Sequence, residues 1–284
     1  MTIIRQDNFI FKMTYRLFIG VIVIYLIGFA LLFTFQRSLI YYPQASAINK
    51  PENTFNLSVD NETIQVSFQK RDTGKALIYF GGNGEDVSGN LAFLANTFPE
   101  HSVYLLHYRG YGHSTGTPSE VGILKDAQAL FDKVQVEHSN IILMGCSLGT
   151  GVATHIASLK PAKQLILITP FDSLQNVAQY RFPFMPIDWM LEDKYESWRY
   201  ASKLTLPTLI LMAEYDQVIP RANTENLYAQ FNTGVAAFKV IANRDHGTIY
   251  QDAQYIPLLK AFVAGQPLND YLTQEIHHDN YSPR

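Results

Sequence analysis

Residues 141–151 read IILMGCSLGTG, and how this stretch is read decides the fold. Four apolar residues suit a short strand buried on both faces, and a helix-like run begins at Thr150. Between them, Gly145-Cys146-Ser147-Leu148-Gly149 fits G-x-S-x-G. The pentapeptide alone is a weak sign, because glycine and serine are both common. Its context is stronger, since strand, sharp turn and helix follow one another directly. Such a turn holds Ser147 in a strained conformation with its hydroxyl above the sheet, and the flanking glycines let strand and helix approach. The helix N-terminus adds a field favourable to a developing oxyanion. A structural turn serine is the plainer reading. Cys146 competes as a nucleophile, but its position points into the packing under the turn and suits a buried thiol.

Outward from this stretch, nearly continuous apolar runs recur: ALIYF from Ala76, SVYLLHY from Ser102, QLILI from Gln164, TLILMA from Thr208 and AAFKVIA from Ala236. Thr63–Lys70 (TIQVSFQK) alternates instead, as a half-exposed edge strand does. Helical patterns lie at Glu120–Val136, with Ser119 as N-cap, and at Thr150–Lys160, Thr224–Phe231 and Tyr255–Ala264. The alternation implies a mainly parallel central sheet flanked by helices in a three-layer α/β fold.

A serine nucleophile needs a base, and the base an orienting carboxylate, in the chain order Ser, Asp or Glu, His for this strand–turn–helix arrangement. Of the histidines after Ser147, His155 lies within the following helix and His277 and His278 in the polar tail. His246 stands on the loop after AAFKVIA, where the base is required. Asp216 follows TLILMA, at a strand's carboxyl end where catalytic groups gather. Asp172, one strand earlier, remains open as the acid; Glu214 sits too close to its strand end, and Asp245 should point away from its neighbour. Phe80-Gly81-Gly82-Asn83-Gly84-Glu85 follows ALIYF, and its glycines let backbone amides approach a substrate carbonyl. The amide of Asn83, or failing it Gly84, pairs with that of Leu148 as an oxyanion hole. A phosphate loop would need GxGxxG or GxxxxGK[ST], and neither is present there.

Leu17–Phe35 (LFIGVIVIYLIGFALLFTF) carries no charge and is bounded by Arg16 and Arg37. As a helix it spans about 30 Å, the hydrocarbon thickness of a bilayer. A buried core helix and a cleaved signal peptide, with Ala45-Ser46-Ala47 beyond the run, are the alternatives. Arg5, Lys12 and Arg16 precede the run and only Arg37 follows closely, which favours a cytosolic amino terminus and a catalytic domain on the far side. The expected organisation is a flank at 1–16, an anchor at 17–35, a hydrolase domain at 36–265 and a polar tail at 266–284. A net charge of −3 gives no nucleic-acid footprint. A single cysteine forbids an intrachain disulfide and a cysteine zinc site. The His277–His278 pair has no carboxylate or third histidine at ligand spacing, and no cofactor or metal is implied.

Together these segments resemble the membrane-anchored branch of the α/β-hydrolases, which includes lysophospholipid and monoacylglycerol lipases, protein depalmitoylases and bacterial serine-aminopeptidase-like proteins. The resemblance runs from about Phe35 to Ala264. It is carried by FQRSLIYYP after the anchor, YRGYGHSTGTPSE from Tyr108, GCSLGTGVA from Gly145, TPFDSL from Thr169 and FPFMPIDWMLEDKYES from Phe182. It implies an α/β-hydrolase fold with Ser147, Asp216 and His246 as triad, YRGYG as a structural loop near the site, and a short cap at about 174–206. Within the cap, the resemblance makes Phe182, Phe184, Met185, Trp189 and Met190 candidates for acyl-chain contact, although plain packing explains each singly as well. Relatives usually read H-G-N-A at the oxyanion loop and end the acid strand in His-Gly; here Gly81-Gly82-Asn83-Gly84 and Ala213-Glu214 stand instead. The expected function is hydrolysis of carboxylic esters or thioesters on lipid, acylated or small-molecule substrates. A peptidase and a non-catalytic membrane scaffold are the rivals.

Overall fold

The computed structural model describes residues 2–47 and 51–268. The tail with His277 and His278 lies outside the described residues, as does part of the amino-terminal flank's side-chain detail. Eight strands form one sheet in the order β1-β2-β4-β3-β5-β6-β7-β8. They are β1 (Thr54–Val59), β2 (Glu62–Gln69), β3 (Lys75–Phe80), β4 (Ser102–Leu106), β5 (Asn140–Cys146), β6 (Gln164–Ile168), β7 (Thr208–Ala213) and β8 (Ala236–Ile241). From β4 to β8 every pairing is parallel, while β1–β2 and β2–β4 are antiparallel.

The continuous apolar runs are explained by this sheet, since both faces of β3 to β7 are covered. Ile78 and Phe80 of β3 join Ile123, Leu130 and Val152 on one face. Leu77 and Tyr79 join Leu94, Leu258 and Phe262 on the other. The first face carries α3 (Glu120–Val134), α4 (Leu148–Leu159) and α8 (Arg221–Tyr228); the second carries α2 (Leu91–Thr97) and α9 (Tyr255–Val263). Each large apolar side chain buried so contributes about 1.5–3 kcal/mol. Ser119 caps α3 by accepting from the Gly122 amide at 3.2 Å. The α4 helix starts at Leu148, two residues before the apolar periodicity announces it.

The alternating stretch around β2 is not the sheet edge. β1 pairs outside it, and Gln65 and Ser67, the polar half of the alternation, are buried. They are partnered there: Gln65 Oε1 accepts from the His113 amide at 3.1 Å, and Ser67 Oγ lies 2.8 Å from His107 Nε2. Alternation marks a polar face, but not whether water or protein satisfies it.

The amino-terminal helix α1 runs from Thr2 to Ile40 and does not stop at Phe35. Its stretch Phe11–Ile40 is long and apolar enough to cross a membrane, and the most apolar part is unburied by the protein. Its C-terminal turns, from about Tyr25 onward, meet the rest of the chain. They lean on the connection between β6 and β7, which holds α5 (Leu174–Arg181), α6 (Ile187–Met190) and α7 (Trp198–Ala201) and forms a cap over the carboxyl ends of the strands. Gln36 seals that joint: its Nε2 donates to the Met190 carbonyl at 3.1 Å and its Oε1 accepts from the Glu192 amide at 2.8 Å. Buried Asp193 accepts from Arg37 Nε (3.0 Å), Tyr41 Oη (3.1 Å) and the Glu120 amide opening α3 (3.0 Å), where a helix N-terminus favours an anion.

Candidate active site

Between β5 and α4 the backbone of Ser147 takes φ 49° and ψ −116°, outside the regions open to most side chains. The turn is held by the Ser147 amide, which donates to the Ile168 carbonyl at 2.9 Å. A Cβ on Gly145 would stand 2.3 Å from the Gly149 carbonyl oxygen, and one on Gly149 would stand 2.0 Å from that of Phe80. These glycines are therefore fixed by close backbone approach. Ser147 itself is largely buried beneath the cap, and its Cβ lies 3.7 Å from where a Gly82 side chain would begin.

His246, on the loop after β8, brings Nε2 to 3.0 Å from Ser147 Oγ. Its Nδ1 lies 2.8 Å from Asp216 Oδ2 on the loop after β7. The second Asp216 oxygen accepts from the amides of Val218 and Ile219, both at 2.8 Å, so the carboxylate is held at both ends. The other carboxylates are engaged elsewhere. Asp172 accepts from Asn223 Nδ2 (2.8 Å), its neighbour's amide at Ser173 (2.7 Å) and Asn176 Nδ2 (2.7 Å), and so pins the start of the cap. Glu214 accepts from the Asn243 amide, and Asp245 turns to Thr248 and Gly247 within its own loop. His155 stacks edge-on against Tyr200 in the cap. Burial pushes the Cys146 thiol well above its ordinary range, which keeps it protonated and a poor nucleophile.

The glycine-rich loop after β3 borders the same cavity as Ser147 through Asn83, and Leu148 borders it from α4. The Gly82 amide donates inward to Glu85 Oε2 at 2.7 Å. Glu85 also accepts from Tyr79 Oη and Asn90 Nδ2, and burial raises its carboxyl above the usual range. The two tyrosines of YRGYG grip the loop from the other side. Tyr108 Oη donates to the Gly81 carbonyl at 2.8 Å, and Tyr111 Oη to the Asn83 carbonyl at 2.5 Å. Burial holds both phenols protonated, Tyr111 pushed up to about 12. The resemblance implies a structural role for this run, and the carbonyls of the glycine-rich loop are what its tyrosines hold.

The end of α1 is also part of the site, which the sequence did not reveal. Asn83 Nδ2 donates to the Ile40 carbonyl at 2.9 Å, and the Tyr42 amide donates back to the Asn83 carbonyl at 3.0 Å. Leu32, Gln36, Leu39 and Ile40 form one wall of a cavity of about 190 Å³ above Ser147. Cap residues Val177, Ala178 and Met190 form the facing wall, with Phe182 at its rim. Phe184 and Trp189 point outward instead, and Met185 packs against Gly28 of α1. Among the described residues Arg181 is the one charged residue in the lining, and its guanidinium donates to the carbonyls of Gln217 and Val218. A larger cavity of about 550 Å³ lies on the far side of His246, against Glu85 and Cys146.

A family model described as serine aminopeptidase, S33 (Hydrolase_4) matches residues 75–199, from β3 into α7. An uncharacterized protein of Mycobacterium tuberculosis is 30% identical over 211 residues, covering 68% of this chain and 74% of its own. The lysophosphatidylserine lipase ABHD12 of Macaca fascicularis is 29% identical over 221 residues, covering 66% of this chain and 55% of its own. Among solved structures, an esterase of Pyrococcus furiosus superposes with a TM-score of 0.64 at 14% identity, over 80% of this chain and 97% of that one. At that identity the likeness is one of fold.

Proposed function

The chain belongs to the α/β-hydrolase superfamily and is a hydrolase of that type; from that premise we propose that it is a membrane-anchored serine hydrolase of carboxylic esters or thioesters. The observation that carries the reading is the hydrogen-bonded series Ser147 Oγ, His246, Asp216, with separations of 3.0 and 2.8 Å. Asp216 holds the imidazole with its proton on Nδ1, which leaves Nε2 to accept the Ser147 proton. The alkoxide attacks the substrate carbonyl, and the negative oxygen is met by the amides of Asn83 and Leu148. His246 then returns the proton to the leaving alcohol or thiol, and an acyl-serine remains. Water, deprotonated by His246, attacks that ester, and collapse of the second tetrahedral species frees the acid and restores Ser147.

The apolar cavity supports an acyl chain as the group it accepts, and so lipid or acylated substrates. An aminopeptidase requires a carboxylate for the substrate's amino terminus; among the described residues the cavity above Ser147 offers only Arg181 as a charged group, while Glu85 and Asp86, in the cavity on the far side of His246, already accept from the Gly82 and Ser88 amides. We read α1 as the anchor, with the amino terminus cytosolic because Arg5, Lys12 and Arg16 precede the apolar run and only Arg37 follows closely, and residues 36–265 as the hydrolase domain with its cap.

Fluorophosphonate labelling of membranes carrying the wild type and Ser147→Ala tests the proposal. Labelling confined to the wild type supports an activated serine, and a panel of esters, thioesters and aminoacyl amides then sorts the substrates. Folded wild type that takes no label refutes the enzyme reading and favours the scaffold.

A further inference from the structure

The cap carries an apolar tip that the hydrolase domain does not cover. Phe184 and Trp189 are 87% and 89% exposed, and Phe182 stands beside them at 41%. A single exposed ring needs no explanation, but several large apolar side chains exposed close together in one short segment suit a surface with a partner. What lies beside them is α1: Tyr25 Oη donates to the Phe184 carbonyl at 3.1 Å, and Met185 packs against Gly28.

Helix geometry turns these contacts into a depth. Crossing the hydrocarbon takes about 20 helical residues, and the apolar stretch Phe11–Ile40 has 30. Any such span placed within it contains positions 21–30, hence both Tyr25 and Gly28. Even with the span shifted fully toward the amino terminus, Tyr25 lies about 8 Å inside its edge at 1.5 Å per residue. Phe184, tied to Tyr25, shares that level.

The tip's carbonyls, though not the amides of Phe184 and Asp188, are satisfied within the protein. Pro183 and Pro186 bring no amide donors, and the carbonyls from 182 to 186 are all taken. Phe182 accepts from the Met185 amide, Pro183 from Gln179 Nε2, Phe184 from Tyr25, Met185 from the Ile187 amide and Pro186 from the Trp189 amide. Backbone groups must be satisfied internally wherever lipid replaces water. Asp188, the ionisable residue within 182–189, is exposed, and its Oδ1 accepts from Gln175 Nε2 on α5 at 2.7 Å.

We propose that the cap tip, residues 182–189, is embedded in the leaflet that the C-terminal half of α1 crosses. The cavity above Ser147, walled by α1 and the cap, then opens toward acyl chains rather than toward water. This rests on the reading of α1 as a membrane span. The test uses the full chain in phosphatidylcholine vesicles. Trp198→Phe leaves Trp189 as the sole tryptophan, since the sequence has two. Its emission should be blue-shifted, quenched by lipids brominated in the acyl chain and shielded from aqueous iodide. Should that variant misfold, the difference between wild type and Trp189→Phe carries the same signal. Quenching by iodide but not by bromolipid, in vesicles that retain the chain through carbonate extraction, overturns the proposal while leaving the anchor intact. Shielding from both quenchers also overturns it, pointing to a second copy or another protein over the tip. Release by carbonate removes the anchor reading and the proposal together.

Discussion

Replacing Asp216 by asparagine isolates the role of the acid, because its two oxygens do different work. One accepts from the Val218 and Ile219 amides and the other meets His246 Nδ1. In Asp216→Asn the two fixed N–H groups demand the amide oxygen, which turns the new NH₂ toward His246. The imidazole must then accept at Nδ1 and carry its proton on Nε2, where it cannot take the proton of Ser147. The same tautomer error in other Ser-His-Asp enzymes costs about 10⁴ in kcat, equivalent to about 5 kcal/mol of transition-state stabilisation. Stability should fall by no more than about 2 kcal/mol, since the paired amides keep their acceptor and lose only its charge. Ester hydrolysis, fluorophosphonate labelling rate and thermal unfolding are measured side by side. Asp172→Asn is the control: it loosens Asn223 and Asn176 at the base of the cap and should act on stability more than on activity per folded molecule. An Asp216→Asn enzyme within tenfold of wild type, with Asp172→Asn the greater activity loss at unchanged stability, would refute the assignment.

Other expectations are narrower. Gly149→Ala places a Cβ 2.0 Å from the Phe80 carbonyl oxygen, and since backbone cannot yield it should abolish folded protein, whereas Gly89→Ala, in open space, should leave yield and melting temperature unchanged. Ala178→Phe in the cavity wall should lower kcat/KM for a dodecanoyl ester about fiftyfold relative to an acetyl ester, the worth of about three methylenes at 0.8 kcal/mol each; an unchanged ratio would show that the acyl chain lies elsewhere. Burial holds His107 down at about 4, below the unfolded value of about 6.5. The unfolded chain therefore binds the extra proton first, and stability is lost as pH falls from about 6.5 to 4, by about 3 kcal/mol in all. Urea unfolding in detergent at neutral and acid pH should show that much less acid loss in His107→Gln; identical acid sensitivity would exclude His107 as the source.

The sequence by itself determined whatever is written locally. Apolar runs too continuous for a one-sided sheet fixed the parallel strands, and Gly145 and Gly149 marked the tight turn because close backbone approach is a property of neighbouring residues. His246 was singled out by elimination, as the three other histidines after Ser147 lie in a helix or the tail. The sequence and its resemblance favoured Asp216 but left Asp172 open, because both follow adjacent strands and only distant segments show what each carboxylate meets. Asn223, 51 residues from Asp172, occupies the one, while the loop after β8 delivers an imidazole to the other. The target of Tyr108 and Tyr111, and the burial of Gln65 and Ser67 behind β1, likewise depend on segments distant in sequence. So does the joining of α1 to the site. The apolar run Leu17–Phe35 does not say which of its residues meet protein; in the structure Leu32, Gln36, Leu39 and Ile40 close the cavity over Ser147, while the most apolar part of the helix is left unburied by the protein.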